Sequence, residues 1–164
     1  MTKGASRAAA MELSDTSAVS AAIDASDATV IAVSPDRSGG SHEPTIRAHR
    51  NLIAAQPSGR FLVVGGAGSL EIDGVRLKDT AGFPPAYYNE AATFSTILYR
   101  ASRGLAWTML SPAPMIAPGQ RTGVYRVGSD SPIGDAISAE DFAVAIVDEL
   151  EKPAHTGTRF TVAN

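Results

Sequence analysis

Apolar residues in this chain fall into short runs broken by glycine, proline or polar clusters. Thr29-Val30-Ile31-Ala32-Val33, Arg60-Phe61-Leu62-Val63-Val64 and Ala106-Trp107-Thr108-Met109-Leu110 are apolar or β-branched at nearly every position. A strand that is apolar on both faces is one buried in a parallel sheet, so each run predicts such a strand. Arg159-Phe160-Thr161-Val162-Ala163 predicts a last one, and Gly123-Val124-Tyr125-Arg126-Val127 is strand-like. The segments between them carry helical spacing. Ser14-Asp15-Thr16-Ser17 offers caps ahead of Val19, Ala22 and Ile23, which predicts a short helix. A second helix is expected from about Ser41 to Gln56, with Ile46, Leu52 and Ile53 inward and Pro57-Ser58-Gly59 as the stop. A third starts near Pro85 and ends before Gly104, placing Tyr88, Ala91, Ser95, Leu98 and Ser102 on one face. Ser138-Ala139-Glu140-Asp141 opens the last helix in the manner of a capping box, and Phe142, Ala145, Ile146 and Leu150 form its apolar stripe.

Strands alternating with helices predict an α/β fold: a mainly parallel sheet with helices on both faces. Residues 69–83 read as irregular, with a turn at Asp73-Gly74. Residues 1–11 read as a flexible tail, residues 12–164 as the folded domain, and residues 115–137 as a small lobe on its substrate side.

In open α/β sheets, ligands bind beyond the carboxyl ends of the strands. Three of the predicted strands end in small residues or proline: Ser34-Pro35, Gly65-Gly66-Ala67-Gly68 and Ser111-Pro112-Ala113-Pro114. Small residues let a flat ring approach the backbone, and prolines stiffen the wall. Gly65-Gly66-Ala67-Gly68 follows a strand, as phosphate loops do. However, Ser69-Leu70-Glu71-Ile72 does not open a helix, and no Walker lysine follows. A tight turn beside a cofactor ring is the better reading of this loop.

Composition narrows the function classes. At 164 residues the chain is long enough for one domain with a real core. Lys and Arg number 14 against 17 Asp and Glu, so a nucleic-acid or anionic membrane surface has little electrostatic support. No cysteine is present, which removes disulfides, thiolate nucleophiles and thiolate-held metals, and fits a cytoplasmic setting. No apolar run is long enough to span a bilayer, and no signal peptide is apparent.

The remaining chemical candidates read as structural. His42, His49 and His155 lack a third ligand at metal-site spacing, and are expected to be solvated surface groups, so no metal is expected. Ser69 or Ser111 with His155 could be written as a hydrolase set, but no Gly-x-Ser-x-Gly elbow occurs. Tyr87 and Tyr88 precede the third helix. A tyrosine acting as an acid needs a nearby cation, and the positions four residues on are Ala91 and Ala92, so packing or ring stacking is expected. Glu140, Asp141, Asp148, Glu149 and Glu151 read as helix-face and capping charges. No catalytic residue is assigned.

Several segments together carry a family likeness. They are Asp27-Ala28-Thr29-Val30-Ile31-Ala32-Val33, Phe61-Leu62-Val63-Val64-Gly65-Gly66-Ala67-Gly68-Ser69-Leu70, Trp107-Thr108-Met109-Leu110-Ser111-Pro112-Ala113, Pro118-Gly119-Gln120-Arg121-Thr122-Gly123 and Ile137-Ser138-Ala139-Glu140-Asp141-Phe142. This combination resembles the NAD(P)-binding atypical short-chain dehydrogenases of the NADH-flavin reductase group, related to the NmrA-like proteins. The resemblance implies a Rossmann-like fold, NAD(P)H as cofactor, and hydride transfer to a flavin or similar planar acceptor. It places Val33, Ser34 and Pro35, then Gly65, Gly66 and Ala67, then Ser111, Pro112 and Ala113 around the nicotinamide and its ribose.

Members of that group open with a strand, a Gly-x-x-Gly-x-x-Gly loop, a helix and a second strand bearing a basic residue. None of these stands in this sequence, so the expectation is an N-terminally truncated domain that keeps the nicotinamide half. The choice between NADH and NADPH is lost with that segment. The Thr29–Val33 strand then becomes an open apolar edge, which predicts self-association as a homo-oligomer. The rival expectation is a non-catalytic redox-sensing or protein-interaction remnant of the NmrA type.

Overall fold

A computed structural model describes residues 8–97 and 104–164. Its central sheet has five strands in the order β1 (Thr29–Ile31), β2 (Phe61–Val64), β5 (Trp107–Pro112), β9 (Arg159–Ala163) and β7 (Arg126–Gly128). The first four run parallel and β7 is antiparallel to β9. Two small sheets complete the strands: a hairpin of β3 (Glu71–Ile72) and β4 (Val75–Arg76), and a parallel pair of β6 (Met115–Ala117) and β8 (Ala136–Ser138). The expected α/β architecture is therefore present.

Helices cover both faces. On one side, α1 (Thr16–Asp24), α2 (Glu43–Ala55) and α3 (Tyr88–Thr96) pack Val19, Ile23, Leu52 and Phe94 onto Ile31, Phe61, Val63, Trp107 and Met109. On the other, α4 (Ala139–Glu151) packs Phe142 and Ala145 onto Leu62, Leu110, Phe160 and Val162. The alternation of core side chains along β2 and β5 explains why these strands read as apolar at successive positions.

Local signals account for the element ends. Asp15 caps α1 by accepting from the Ala18 amide at 3.0 Å, and Ser138 caps α4 by accepting from the Asp141 amide at 3.0 Å. Asp73 and Gly74 both have positive φ, 51° and 79°, the pair of angles a tight two-residue hairpin turn demands. That turn builds β3 and β4 inside a segment expected to be irregular.

Other bounds moved. The first strand stops at Ile31 rather than Val33, because the chain turns inward to bury Pro35. The strand at 123–127 is displaced to Arg126–Gly128, where it pairs with β9. The third helix is preceded by a 3-10 turn at Pro85–Tyr87. Its expected continuation through Leu98 and Ser102 lies outside the described residues, as do residues 1–7 of the expected tail. Among the described residues, strand β1 stands at the edge of the sheet, with Val30 exposed. Among the described residues, no helix is long and apolar enough to cross a membrane.

Candidate functional site

Parallel pairing brings the three small-residue strand ends to one edge. Ile31 is in register with Val63, and Val64 with Leu110, so the loops beginning at Ala32, Gly65 and Ala113 leave the sheet on the same side. The Gly65 amide donates to the Leu110 carbonyl at 2.9 Å, carrying the ladder into the glycine loop. A Cβ on Gly65 would stand 3.1 Å from both Ser111 Oγ and Met109 Sδ. Pro35, Gly65, Ser111 and Ala113 are buried, Gly66, Ala67 and Pro112 are half-buried, and Val33 and Ser34 are exposed.

The glycine loop is held tightly from below. Ala67–Ser69 make one 3-10 turn, and the Ser69 hydroxyl donates to the Gly66 carbonyl at 2.9 Å. The Gly66 Cα faces the Phe94 ring, and Gly68 lies directly against Ala91 with the Phe83 ring beside it. A Cβ on Gly68 would come within 2.2 Å of the Ala91 Cβ, so helix and loop approach here only because glycine has no side chain.

Beneath the loop lies Arg159, which the sequence reading passed over as one more strand residue. Its guanidinium is buried. It donates to the Ser69 carbonyl at 2.7 Å, to Ser69 Oγ at 3.0 Å and, through Nε, to Asp130 Oδ1 at 2.9 Å. One cation therefore ties the glycine loop to the Asp130 stretch inside the 115–137 segment. The only signal in the sequence was a charge at the head of a run that is otherwise buried. Next to it, Ser111 and Thr161 are register partners on β5 and β9. Both hydroxyls are buried and find no hydrogen-bond partner among the described residues.

The tyrosines do not pack into the core. Tyr87 and Tyr88 are 63% and 44% exposed, too open for core packing. Tyr88 has acquired a cation: the Lys78 ammonium lies 5.1 Å from its ring centroid. Asp79 hydrogen-bonds this ammonium and holds it above the ordinary lysine range. The lysine comes from a turn ten residues earlier in the chain, not from the position four residues on. The loop after β1 is latched to the same helix, with Arg37 to Glu90 at 2.8 Å and His42 Nδ1 to Thr93 Oγ1 at 2.6 Å.

The reading of the histidines as surface groups fails at His49. It is fully buried in α2, and burial pushes its pKa down to about 4, so it is neutral at pH 7. His155 is half-buried, stacks on Phe160 at 4.1 Å and bonds the Glu149 carboxylate through Nδ1 at 2.8 Å. It sits before the amino end of β9, whereas Ser69 and Ser111 are at the carboxyl edge. The hydrolase set is not assembled. Among the described residues, no group of three or more His, Asp or Glu side chains is placed to hold a metal.

Two carboxylates of α4 are also more than surface charges. Asp141 is buried and accepts from the Thr122 and Gly123 amides, the Thr122 hydroxyl and Asn164 Nδ2, all at 2.6–2.9 Å. The Thr122 hydroxyl leads these donors in lowering its pKa to about 2. This carboxylate staples the 115–137 lobe to the domain. Glu149 does the same for the turn before β9, accepting from the Ala154 and His155 amides.

Residues 2–153 match the family described as NAD(P)H-binding. The chain belongs to this family. Among its relatives is the uncharacterized protein YwnB of Bacillus subtilis, 41% identical over 134 residues, which are 75% of this chain and 63% of YwnB. The chain thus spans less than two thirds of that relative's length. Two solved structures share the fold of this NAD(P)H-binding chain. A "putative epimerase" from Bacteroides thetaiotaomicron superposes with TM-score 0.82 at 34% identity, over 93% of this chain and 74% of that one. A "putative NADH-flavin reductase" from Streptococcus pneumoniae gives TM-score 0.76 at 30% identity, over 88% of this chain and 75% of that one.

Proposed function

We propose that this chain binds the nicotinamide half of NAD(P)H at the carboxyl edge of its sheet and directs hydride to a flavin or similar planar acceptor. The observation that carries this reading is that three strand ends rich in Gly, Ser, Ala and Pro leave the same edge of the sheet, beside two buried hydroxyls that find no partner among the described residues. Val33, Ser34 and Pro35 would wall one side, Gly65, Gly66 and Ala67 would form the base, and Ser111, Pro112 and Ala113 would close the other side. Gly65 and Gly66 stand where a Cβ would meet Met109, Ser111 and the Phe94 ring, and the Ser111 and Thr161 hydroxyls, which find no partner among the described residues, would leave hydrogen-bonding capacity there.

The Ala67–Ser69 turn is one turn long and offers no helix N-terminus for a pyrophosphate. The edge therefore suits the nicotinamide and ribose better than the phosphates. When bound, the cofactor supplies the hydride. The residues of this chain supply position and a dry surface, which is most of what transfer between stacked rings requires. The family match and the neighbour named for NADH-flavin reduction support this reading. The acceptor and a second copy of the chain along the β1 edge are the partners proposed.

Steady-state oxidation of NADPH and NADH, with FMN and riboflavin as acceptors, is the test. The expected result is acceptor-dependent oxidation that saturates in both substrates. Cofactor binding without turnover would instead favour the redox-sensing reading.

A further inference from the structure

Four residues fall in one row across the carboxyl half of the sheet. Ser111 on β5 is in register with Thr161 on β9, and Thr161 with Gly128 on β7. On the other side, Val64 is in register with Leu110, which sets Gly65 beside Ser111. Residues in register share a face of the sheet, so the row reads Gly65, Ser111, Thr161, Gly128. Two hydroxyls thus stand between two glycines. Ser111 and Thr161 are 0% and 1% exposed, and neither hydroxyl finds a hydrogen-bond partner among the described residues. A buried hydroxyl without a partner costs stability, and here two such groups are neighbours.

The two ends of the row differ. A Cβ on Gly65 would stand 3.1 Å from Ser111 Oγ, so glycine keeps the space beside that hydroxyl clear. At the far end a Cβ on Gly128 would come within 2.4 Å of Ile133 Cγ2, so Ile133 closes the row there. Arg159 stands two residues before Thr161 on the same face, and its charge is already engaged. It donates to the Ser69 carbonyl and hydroxyl and pairs with Asp130 at 2.8 Å. The row therefore offers hydrogen bonds without net charge.

We propose that Ser111 and Thr161 form a subsite for a neutral planar amide edge, a carbonyl oxygen beside an N–H. The inference rests on the reading above that a nicotinamide and a planar acceptor meet at this edge, and it names the group by which one of them is held. A hydroxyl both donates and accepts. One of the pair donates to the amide oxygen and the other accepts from the amide N–H. Neighbouring strands lie about 4.8 Å apart, a spacing that two hydrogen bonds to one amide group fill. Two ligands of the proposed reaction carry such an edge: the carboxamide of the nicotinamide and the ring imide of a flavin. A carboxylate would need a positive charge that the row lacks, and a methyl ketone has no N–H to give.

The first test needs no ligand. Thr161→Val replaces an unpartnered hydroxyl with a methyl group of the same shape, so the thermal midpoint of the free chain is expected to hold or rise. A midpoint lowered by several degrees means that the fold itself pairs the hydroxyl, and overturns the proposal.

The second test compares ligands that differ in the amide edge alone. NADH is set against its reduced acetylpyridine analogue, and riboflavin against riboflavin methylated at the imide nitrogen. In one of the two pairs the wild type is expected to prefer the amide-bearing member about tenfold, since a site built for an N–H rejects the analogue without one. Ser111→Ala or Thr161→Val should erase that preference while affinity for the analogue is kept, and Thr161→Ser should retain it. The pair that shows the preference tells whether cofactor or acceptor supplies the edge. No preference in either pair, or one that survives both substitutions, overturns the subsite. A preference within the flavin pair, with no binding of NADH, would sink the cofactor reading and leave the subsite standing.

Discussion

Lowering the pH from about 6.5 to about 4 is expected to cost the fold about 3 kcal/mol through His49, since each pH unit of separation between folded and unfolded pKa is worth about 1.4 kcal/mol. His49 is fully buried in α2, edge-on to Phe94 at 6.5 Å, and burial depresses its pKa from 6.5 to about 4. Above pH 6.5 the ring is neutral in both states and stability is complete. As the pH falls below 6.5 the unfolded chain takes up a proton that the folded chain refuses, so stability drains until the folded pKa is reached. Below that point this residue adds no further loss. Urea unfolding at several pH values should show the slope, and His49→Leu should flatten it while His42 and His155 remain. A wild-type profile flat across this range would contradict the burial of a neutral imidazole.

The second large effect is expected at Gly68. An alanine there would bring its Cβ within 2.2 Å of the Ala91 Cβ, a distance that two carbons do not tolerate, so α3 or the glycine loop must move. Overpacking of this kind costs about 1–3 kcal/mol, and Gly68→Ala belongs at the upper end because the nearest atoms belong to a helix rather than to a flexible side-chain tip. Ala91→Gly alone should cost about 1 kcal/mol as a glycine in a helix. The double variant should be more stable than Gly68→Ala alone, since the second change removes the colliding methyl group. Strict additivity of the two losses in thermal unfolding would mean that helix and loop do not touch as described. If the same loop forms the base of the proposed cofactor site, Gly68→Ala should also weaken cofactor binding, and the double variant should restore part of it.

Much of the fold was legible because the relevant signals are local. The runs at 61–64 and 107–110 are buried on both faces, and nothing but a central parallel strand accommodates that. Caps at Asp15 and Ser138 sit where short-range chemistry puts them. That the three strand ends leave one edge of the sheet was legible for the same reason, since strand ends rich in Gly, Ser and Pro mark where the chain leaves a sheet. What escaped depends on contacts between distant segments. His49 looked like a surface residue because a lone histidine in a polar helical stretch gives no sign of the Phe94 ring it will meet from another helix. Arg159 is neutralised by Asp130, 29 residues away, and Lys78 reaches Tyr88 across a turn. Asp141 looked like a capping charge, and its partners at Thr122, Gly123 and Asn164 come from either side of it in the chain. Charge type alone does not say which ion will be buried, because that depends on who arrives from elsewhere.

The central claim is that the carboxyl edge holds a nicotinamide, and Trp107 can report on it. It is the single tryptophan, it is 2% exposed, and it lies at the amino end of β5. Ser111 lies four steps further along the strand, about 13 Å at the rise of a strand. That is close enough for its emission to pass to a reduced nicotinamide above the rim. Titrating the purified chain with NADPH and then NADH should give saturable quenching of Trp107 emission with matching sensitised nicotinamide fluorescence, and oxidised cofactor should give the first signal without the second. Emission that stays unchanged up to millimolar reduced cofactor, in a chain shown to be folded, would contradict the account.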